Sequence, residues 1–121
     1  MKLVRTALVV DDEPPIRAFI RVILEREGFR TLEAEGGRDA WTAVELLGGR
    51  LDVLITDIQM PDGDGLTLAR AVTRAYPSIP IILVSGRVKP DDDFEFVEKP
   101  FSWATLADAI HRLTDAREKI A

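Results

Sequence analysis

Residues 51 to 65 read LDVLITDIQMPDGDG. Val53, Leu54 and Ile55 form an apolar run too short for a helix and rich in β-branched carbon, which suits a strand buried on both faces of a parallel sheet. The run ends on Thr56 and Asp57, and the residues after it punctuate: Met60–Pro61, then Asp62-Gly63-Asp64-Gly65. Pro61 cannot donate to a ladder, and the two glycines permit backbone angles that other residues avoid. Asp57 is therefore expected at the carboxyl end of a central strand, where open α/β sheets bind their ligands. A carboxylate there either caps a loop or does chemistry, and this stretch alone leaves both open.

Working outward, Thr6 to Val10 and Ile81 to Val84 are further buried-strand runs, stopped by Asp11-Asp12-Glu13 and by Ser85-Gly86. Arg30 to Ala34 reads as a weaker edge strand, and Phe94 to Val97 as a last short one. Between them lie helical spacings. The first helix carries Ile16, Phe19, Ile20, Ile23 and Leu24, with Pro14 and Pro15 tolerable in its first turn and Gly28 as its stop. The second carries Ala40, Trp41, Val44 and Leu47 and closes at Gly48-Gly49. The third carries Leu68, Ala69, Val72 and Tyr76 and is broken by Pro77 and Pro80. Trp103, Leu106, Ala107, Ile110 and Leu113 stripe the final helix. Alternating strands and helices mean right-handed crossovers and one parallel, doubly wound sheet with helices on both faces.

The 121 residues suit one domain, 1–121, and the last helix runs nearly to Ala121, so no output domain is expected. Hydrophobic residues at 46% and charged ones at 31% argue against disorder. A net charge of -5 disfavours a nucleic-acid partner. The lack of cysteine excludes a disulfide framework and a thiolate metal site. No apolar run approaches a membrane span, and Met1-Lys2-Leu3 is no signal peptide, so no membrane partner and a cytoplasmic location are expected.

A doubly wound sheet brings its strand ends together. Asp11 and Asp12 end the first strand, Asp57 the third and Ser85 the fourth, while Lys99 follows the fifth; all lie on one sheet edge. Singly, each has an ordinary explanation: a helix cap for Asp11-Asp12, a turn for Ser85, a solvated charge for Lys99. Jointly, three acids, a hydroxyl and a lysine at neighbouring strand ends point to a site. Three carboxylates held together repel unless a cation joins them. The donors are hard oxygens without nearby His or Cys, so Mg²⁺ fits best, and it would leave open positions for a phosphoryl group arriving at Asp57. A carboxylate can attack phosphorus to give an acyl phosphate. The metal and Lys99 would offset charge on the transferring oxygens. A Gly-rich nucleotide or flavin cradle is disfavoured, because DDEPP would repel phosphate.

VVDDE at 9–13, DIQMPDGDG at 57–65, LVSG at 83–86 and EKPF at 98–101, in this order, make the whole chain resemble a response-regulator receiver domain of two-component signalling. The resemblance implies a flavodoxin-like five-stranded sheet of order 2-1-3-4-5. It makes Asp57 the phosphoacceptor and Asp12 a direct Mg²⁺ ligand, with Asp11 acting through a metal-bound water and the carbonyl of Gln59 a further ligand. Ser85 would donate to the phosphoryl group, Lys99 would pair with it, and the Lys99–Pro100 peptide would be cis. Phe96 takes the position of the aromatic switch residue, where the missing hydroxyl leaves burial alone to do the switching. The implied partner is a sensor histidine kinase or a histidine phosphotransfer protein, and the implied output is altered partner binding or relay of the phosphoryl group. Two other readings compete: a Mg²⁺-dependent small-molecule phosphatase with Asp57 as nucleophile, and a phosphorylation-independent interaction module. The chain is expected to catalyse only its own phosphorylation and dephosphorylation. His111, in the last helix, reads as a surface residue away from the acidic edge.

Two features depart from the family pattern. Gly63 replaces an apolar residue and is expected to loosen its loop. Between Ser85 and Phe94, the eight residues Gly86 to Asp93 must return the length of a strand, roughly 17 Å. Extended, they reach roughly 26 to 29 Å, but as a helix only about 12 Å. Pro90 and the run Asp91-Asp92-Asp93 are poor helix interior. The fourth helix is expected to be absent or a single turn, so dimerisation through that face is not expected, and a partner should use the first helix and the acidic edge.

Overall fold

The computed structural model describes residues 4–87, 89–90 and 92–120, with side chains followed to residue 115. Met1 to Leu3, Ala121, and Asp91 of the acidic run lie outside the described residues. The elements in order are β1 (Arg5–Val10), α1 (Pro14–Arg26), β2 (Phe29–Ala34), α2 (Gly37–Leu47), β3 (Val53–Asp57), β4 (Gln59–Met60), β5 (Gly63–Asp64), α3 (Gly65–Ala75), β6 (Ile81–Ser85), β7 (Glu95–Glu98) and α4 (Trp103–Ile120). Five strands pair in parallel in the order β2-β1-β3-β6-β7, the flavodoxin-like arrangement.

The unbroken apolar runs are explained by a sheet covered on both sides. Alternate residues of each strand feed opposite cores. Ala7, Val9, Ile55, Ile82 and Val84 meet Ile20, Ile23 and Leu24 of α1 and Leu106 and Ile110 of α4. Leu8, Val10, Leu54 and Leu83 meet Ala40 and Val44 of α2 and Leu68 and Val72 of α3. All of these lie essentially out of solvent. The helix stops are glycines where the backbone demands them: Gly28 follows α1 at φ 92° and Gly48 ends α2 at φ 60°. Tyr76 lies just past α3 as its C-terminal cap and not within it.

Two local features differ from the sequence reading. Residues 59–64 form a small antiparallel hairpin, with Gln59 opposite Asp64 and Met60 opposite Gly63. Two-residue strands are too short to show an alternating pattern, so the sequence displays only their turn. Gly63 within the hairpin is paired with Met60 and holds φ 147°, an angle other residues rarely adopt. The last strand begins at Glu95 rather than Phe94.

Between β6 and β7 the described residues form no helix, and four helices among the described residues accompany the sheet. The crossing is tied to α3 instead, where Arg70 reaches Asp92 Oδ2 through Nη2 at 2.8 Å and Nε at 3.3 Å.

Gly65 sets how closely α3 approaches the central strand. Its N–H donates to the Ile58 carbonyl at 2.6 Å, and a Cβ there would stand 1.8 Å from the Asp57 carbonyl oxygen. Gly65→Ala is therefore expected to cost about 3 kcal/mol, read from the urea midpoint at unchanged slope, since backbone must move to admit the methyl. An alanine variant as stable as the parent would show that this contact can relax freely.

Candidate functional site: an acidic edge with one lysine

The parallel strands all end at one edge, and the side chains there follow from that. Asp11 is the first residue past β1, and four contacts hold it. Its N–H donates to Ala34 O of β2 at 3.2 Å, and its carbonyl accepts from Arg17 Nη1 at 2.7 Å. Its Oδ1 accepts the Glu13 N–H at 2.9 Å, and its Oδ2 accepts from Lys99 Nζ, also at 2.9 Å. Asp57 closes β3, also buried but more loosely held: Oδ1 lies 3.4 Å from Gln59 N and Oδ2 lies 3.5 Å from Lys99 Nζ. Asp12 is half-buried, and one oxygen from each of Asp11, Asp12 and Asp57 falls within 4.8 Å of the others.

Lys99 reaches this cluster because the chain turns back at the end of β7. Its N–H donates to Ser85 O at 2.8 Å, stapling the ends of β6 and β7, and the Lys99–Pro100 peptide is cis. Ser85 is buried, and its Oγ accepts from the Arg87 N–H at 3.1 Å, which leaves the hydroxyl proton available to another acceptor. Phe96 pairs with Leu83 in the adjoining strand and is half-buried against the α2–α3 side of the core. Asp11, Asp12, Asp57 and Lys99 thus meet at one place, Gln59 adjoins it through its N–H, and Ser85 lies at the neighbouring strand end. His111 lies elsewhere, against Glu27 at the end of α1 and 3.8 Å from Asp115.

Electrostatics follow from that packing. Burial is the largest influence on Asp57 and pushes its carboxyl above the ordinary carboxylate value; Lys99 pulls it down, and Asp11 pushes it up again. Burial pulls the Lys99 ammonium down, but the hydrogen bond to Asp11 and the charges of Asp11, Asp57 and Glu13 outweigh that and hold it above its ordinary value. The lysine stays charged and the acids outnumber it, a balance that favours a further cation. Every donor is a hard oxygen, the set that suits Mg²⁺.

Three contributors escaped the sequence reading. Glu13 stands 3.6 Å from Lys99. Arg17 carries the Asp11 carbonyl and also pairs with Glu33 at 3.0 Å. Asp62, in the hairpin turn, accepts from the N–H groups of Gly37 and Arg38 at the start of α2, at 3.2 and 3.4 Å. All three depend on how α1 and the hairpin approach the sheet, which no short window of sequence displays.

The sequence profile of the response regulator receiver domain matches residues 7–111. The chain belongs to the response-regulator receiver family. Among curated relatives, this receiver is 33% identical to the sensor kinase CckA of Brucella abortus (strain 2308), over 93% of this chain and 13% of that protein. It is 34% identical to the response regulator GtcR of Aneurinibacillus migulanus, over 81% of this chain and 43% of that protein. The chain thus spans less than half the length of either. Among solved structures, the receiver domain of the hybrid histidine kinase CckA superposes with a TM-score of 0.81 at 30% identity, covering 90% of this chain and 98% of that one. A receiver domain protein from Clostridium thermocellum gives 0.87 at 26% identity, covering 97% and 99%. Receivers generally hold Mg²⁺ in an acidic pocket, and the cluster of Asp11, Asp12 and Asp57 supplies one here. No helix among the described residues is long and apolar enough to cross a membrane.

The raised carboxyl of Asp57 has a thermodynamic consequence. The unfolded chain ionises this group at the ordinary value, so the parent loses stability as pH climbs past that value, until the folded group has ionised too. Asp57→Asn removes the penalty, and in metal-free buffer it is expected to melt a few degrees higher at pH 7. The advantage should vanish in acid below the ordinary carboxylate value, where both proteins are neutral at this position. Thermal scans from pH 3 to pH 7 measure it, and an advantage independent of pH would contradict the assignment.

Proposed function

We propose that this receiver takes a phosphoryl group from a phosphohistidine partner onto Asp57, with Mg²⁺ held by Asp12, Asp57 and the Gln59 carbonyl, and by Asp11 through a bound water. The carrying observation is the inequality between the two buried acids. Both oxygens of Asp11 are engaged at 2.9 Å, whereas neither contact to Asp57 is shorter than 3.4 Å. Asp57 therefore has lone pairs to spend on phosphorus, and Asp11 serves as a fixed wall.

In the proposed step an Asp57 oxygen forms the new bond to phosphorus as the bond from phosphorus to the imidazole nitrogen breaks. The electron pair leaves with the imidazole, which takes up a proton, and an acyl phosphate remains. Bound metal supplies positive charge for the transferring oxygens. Lys99, 3.5 Å from Asp57 and kept charged by its acidic neighbours, adds a second positive charge without moving far. The free proton of the Ser85 hydroxyl becomes a donor to the new group, and Phe96 one strand away follows the change through packing. Contacts that exist only in the phosphorylated form are what shift the population.

The docking face is assigned to α1 and the acidic edge. Phe19 is exposed there and stacks on Phe101 at 5.8 Å, with Trp103 against it at 6.1 Å, which makes an apolar surface beside the site. Signalling then proceeds by altered partner binding or by relay.

Incubation with acetyl phosphate and Mg²⁺, followed by intact mass, tests the reading. One phosphoryl group is expected on the parent and none on Asp57→Asn, while Ser85→Ala still labels but shows smaller amide shifts in β6 and β7. Equal labelling of the Asn variant would remove Asp57 from its role, and sustained hydrolysis of a phosphate ester would favour a phosphatase.

A further inference from the structure

We propose that Arg17 is the positioning residue of the acidic edge: by gripping the Asp11 carbonyl it fixes the Asp11–Asp12 peptide plane, and so aims both carboxylates at the cation. The inference rests on the Mg²⁺ reading above and adds a residue to it. Arg17 stands in the first turn of α1, with its side chain only 13% exposed. Its Nη1 donates to Asp11 O at 2.7 Å, its Nε to Glu33 Oε1 at 3.0 Å, and its Nη2 lies 3.9 Å from Glu35. A planar guanidinium can serve two acceptors in fixed directions, which a lysine ammonium cannot do with the same geometry.

The carbonyl of Asp11 and the N–H of Asp12 belong to one rigid peptide unit. Holding the oxygen therefore sets the plane from which Asp12 departs and on which Asp11 ends. The other three contacts to Asp11 fall on its own N–H and its carboxylate, not on this peptide's oxygen. Glu13 gives α1 no side-chain cap, and Pro14 and Pro15 bring no N–H groups to its first turn. Glu33 in turn holds Arg17, so the metal loop is braced against β2 through one side chain.

Position and charge predict opposite results. Arg17 brings a positive charge to an edge that is to hold a cation, so by charge alone its loss would tighten Mg²⁺ binding and Arg17→Lys would match the parent. By positioning, Arg17→Gln weakens Mg²⁺ binding about tenfold, in the range of second-shell losses at metal sites, and Arg17→Lys fails to restore it. Amide exchange in metal-free protein supplies the second arm. The Asp11 and Glu13 amides, bonded to Ala34 O and to Asp11 Oδ1, should exchange roughly tenfold faster in Arg17→Gln, the loss of one charge-assisted hydrogen bond, with Leu8 and Ile55 unchanged.

Mg²⁺ titration followed by amide shifts, together with that exchange measurement, decides the matter for the parent and both variants. Weaker binding in both variants with local exchange confined to residues 11–13 supports the proposal. Binding that is equal or tighter in Arg17→Gln, a lysine variant equal to the parent, unchanged exchange, or exchange raised throughout the sheet would each overturn it. Should the parent itself take up no Mg²⁺, the functional reading falls, and the exchange arm alone then decides whether Arg17 holds the peptide.

Discussion

A single ammonium sits among carboxylates that would otherwise repel one another. Lys99 reaches Asp11 at 2.9 Å across 88 residues of sequence and touches Asp57 and Glu13 at 3.5 and 3.6 Å. Three loops converge on it: those after β1, β3 and β7. Without a positive charge at that point, two buried acids on neighbouring strands would push apart or take up a proton. With it, the edge remains assembled yet short of one more positive charge. The fold's own constraint reinforces this, because a parallel sheet must end all its strands on the same side, and residues that end them are gathered whether or not they attract.

The parts legible in the sequence are those that physics writes into short windows. Val53 to Ile55, Ala7 to Val10 and Ile81 to Val84 announce themselves as doubly buried strands because no polar residue interrupts them. The site acids were legible for the same reason, since each lies within two residues of the end of such a run. Arg17, Glu13 and Asp62 were not, because their partners are set by how α1 and the hairpin lie against the sheet. The bracing of Asp11 by Arg17 crosses only six residues, yet a basic residue on an amphipathic helix looks the same whether it faces water or a carbonyl. The start of β7 slipped by one because Phe94 and Phe96 are equally apolar and only the ladder with β6 tells them apart.

With no helix among the described residues between β6 and β7, the neighbourhood of β7 is open. This strand has β6 on one side only, and of its four residues Val97 alone is buried. A space of about 510 Å³, lined by Gly86, Arg87, Lys89, Phe96 and Glu98, opens beside Ser85. The pair between Arg70 and Asp92 is exposed at the arginine, so it contributes little by itself. Within the site Asp11, gripped four ways at the β1 end, is held more closely than Asp57.

The cap on α2 is borrowed from Asp62, 25 residues downstream of Gly37. Gly36 leaves no alternative, because a Cβ on it would lie 2.4 Å from the Asp62 carboxylate. Without Asp62 the N–H groups of Gly37 and Arg38 would be left to water. A chain growing from its amino end passes Leu47 well before that carboxylate exists. The start of the second helix is thus completed by a residue made after it, and a local element takes its end from a distant turn.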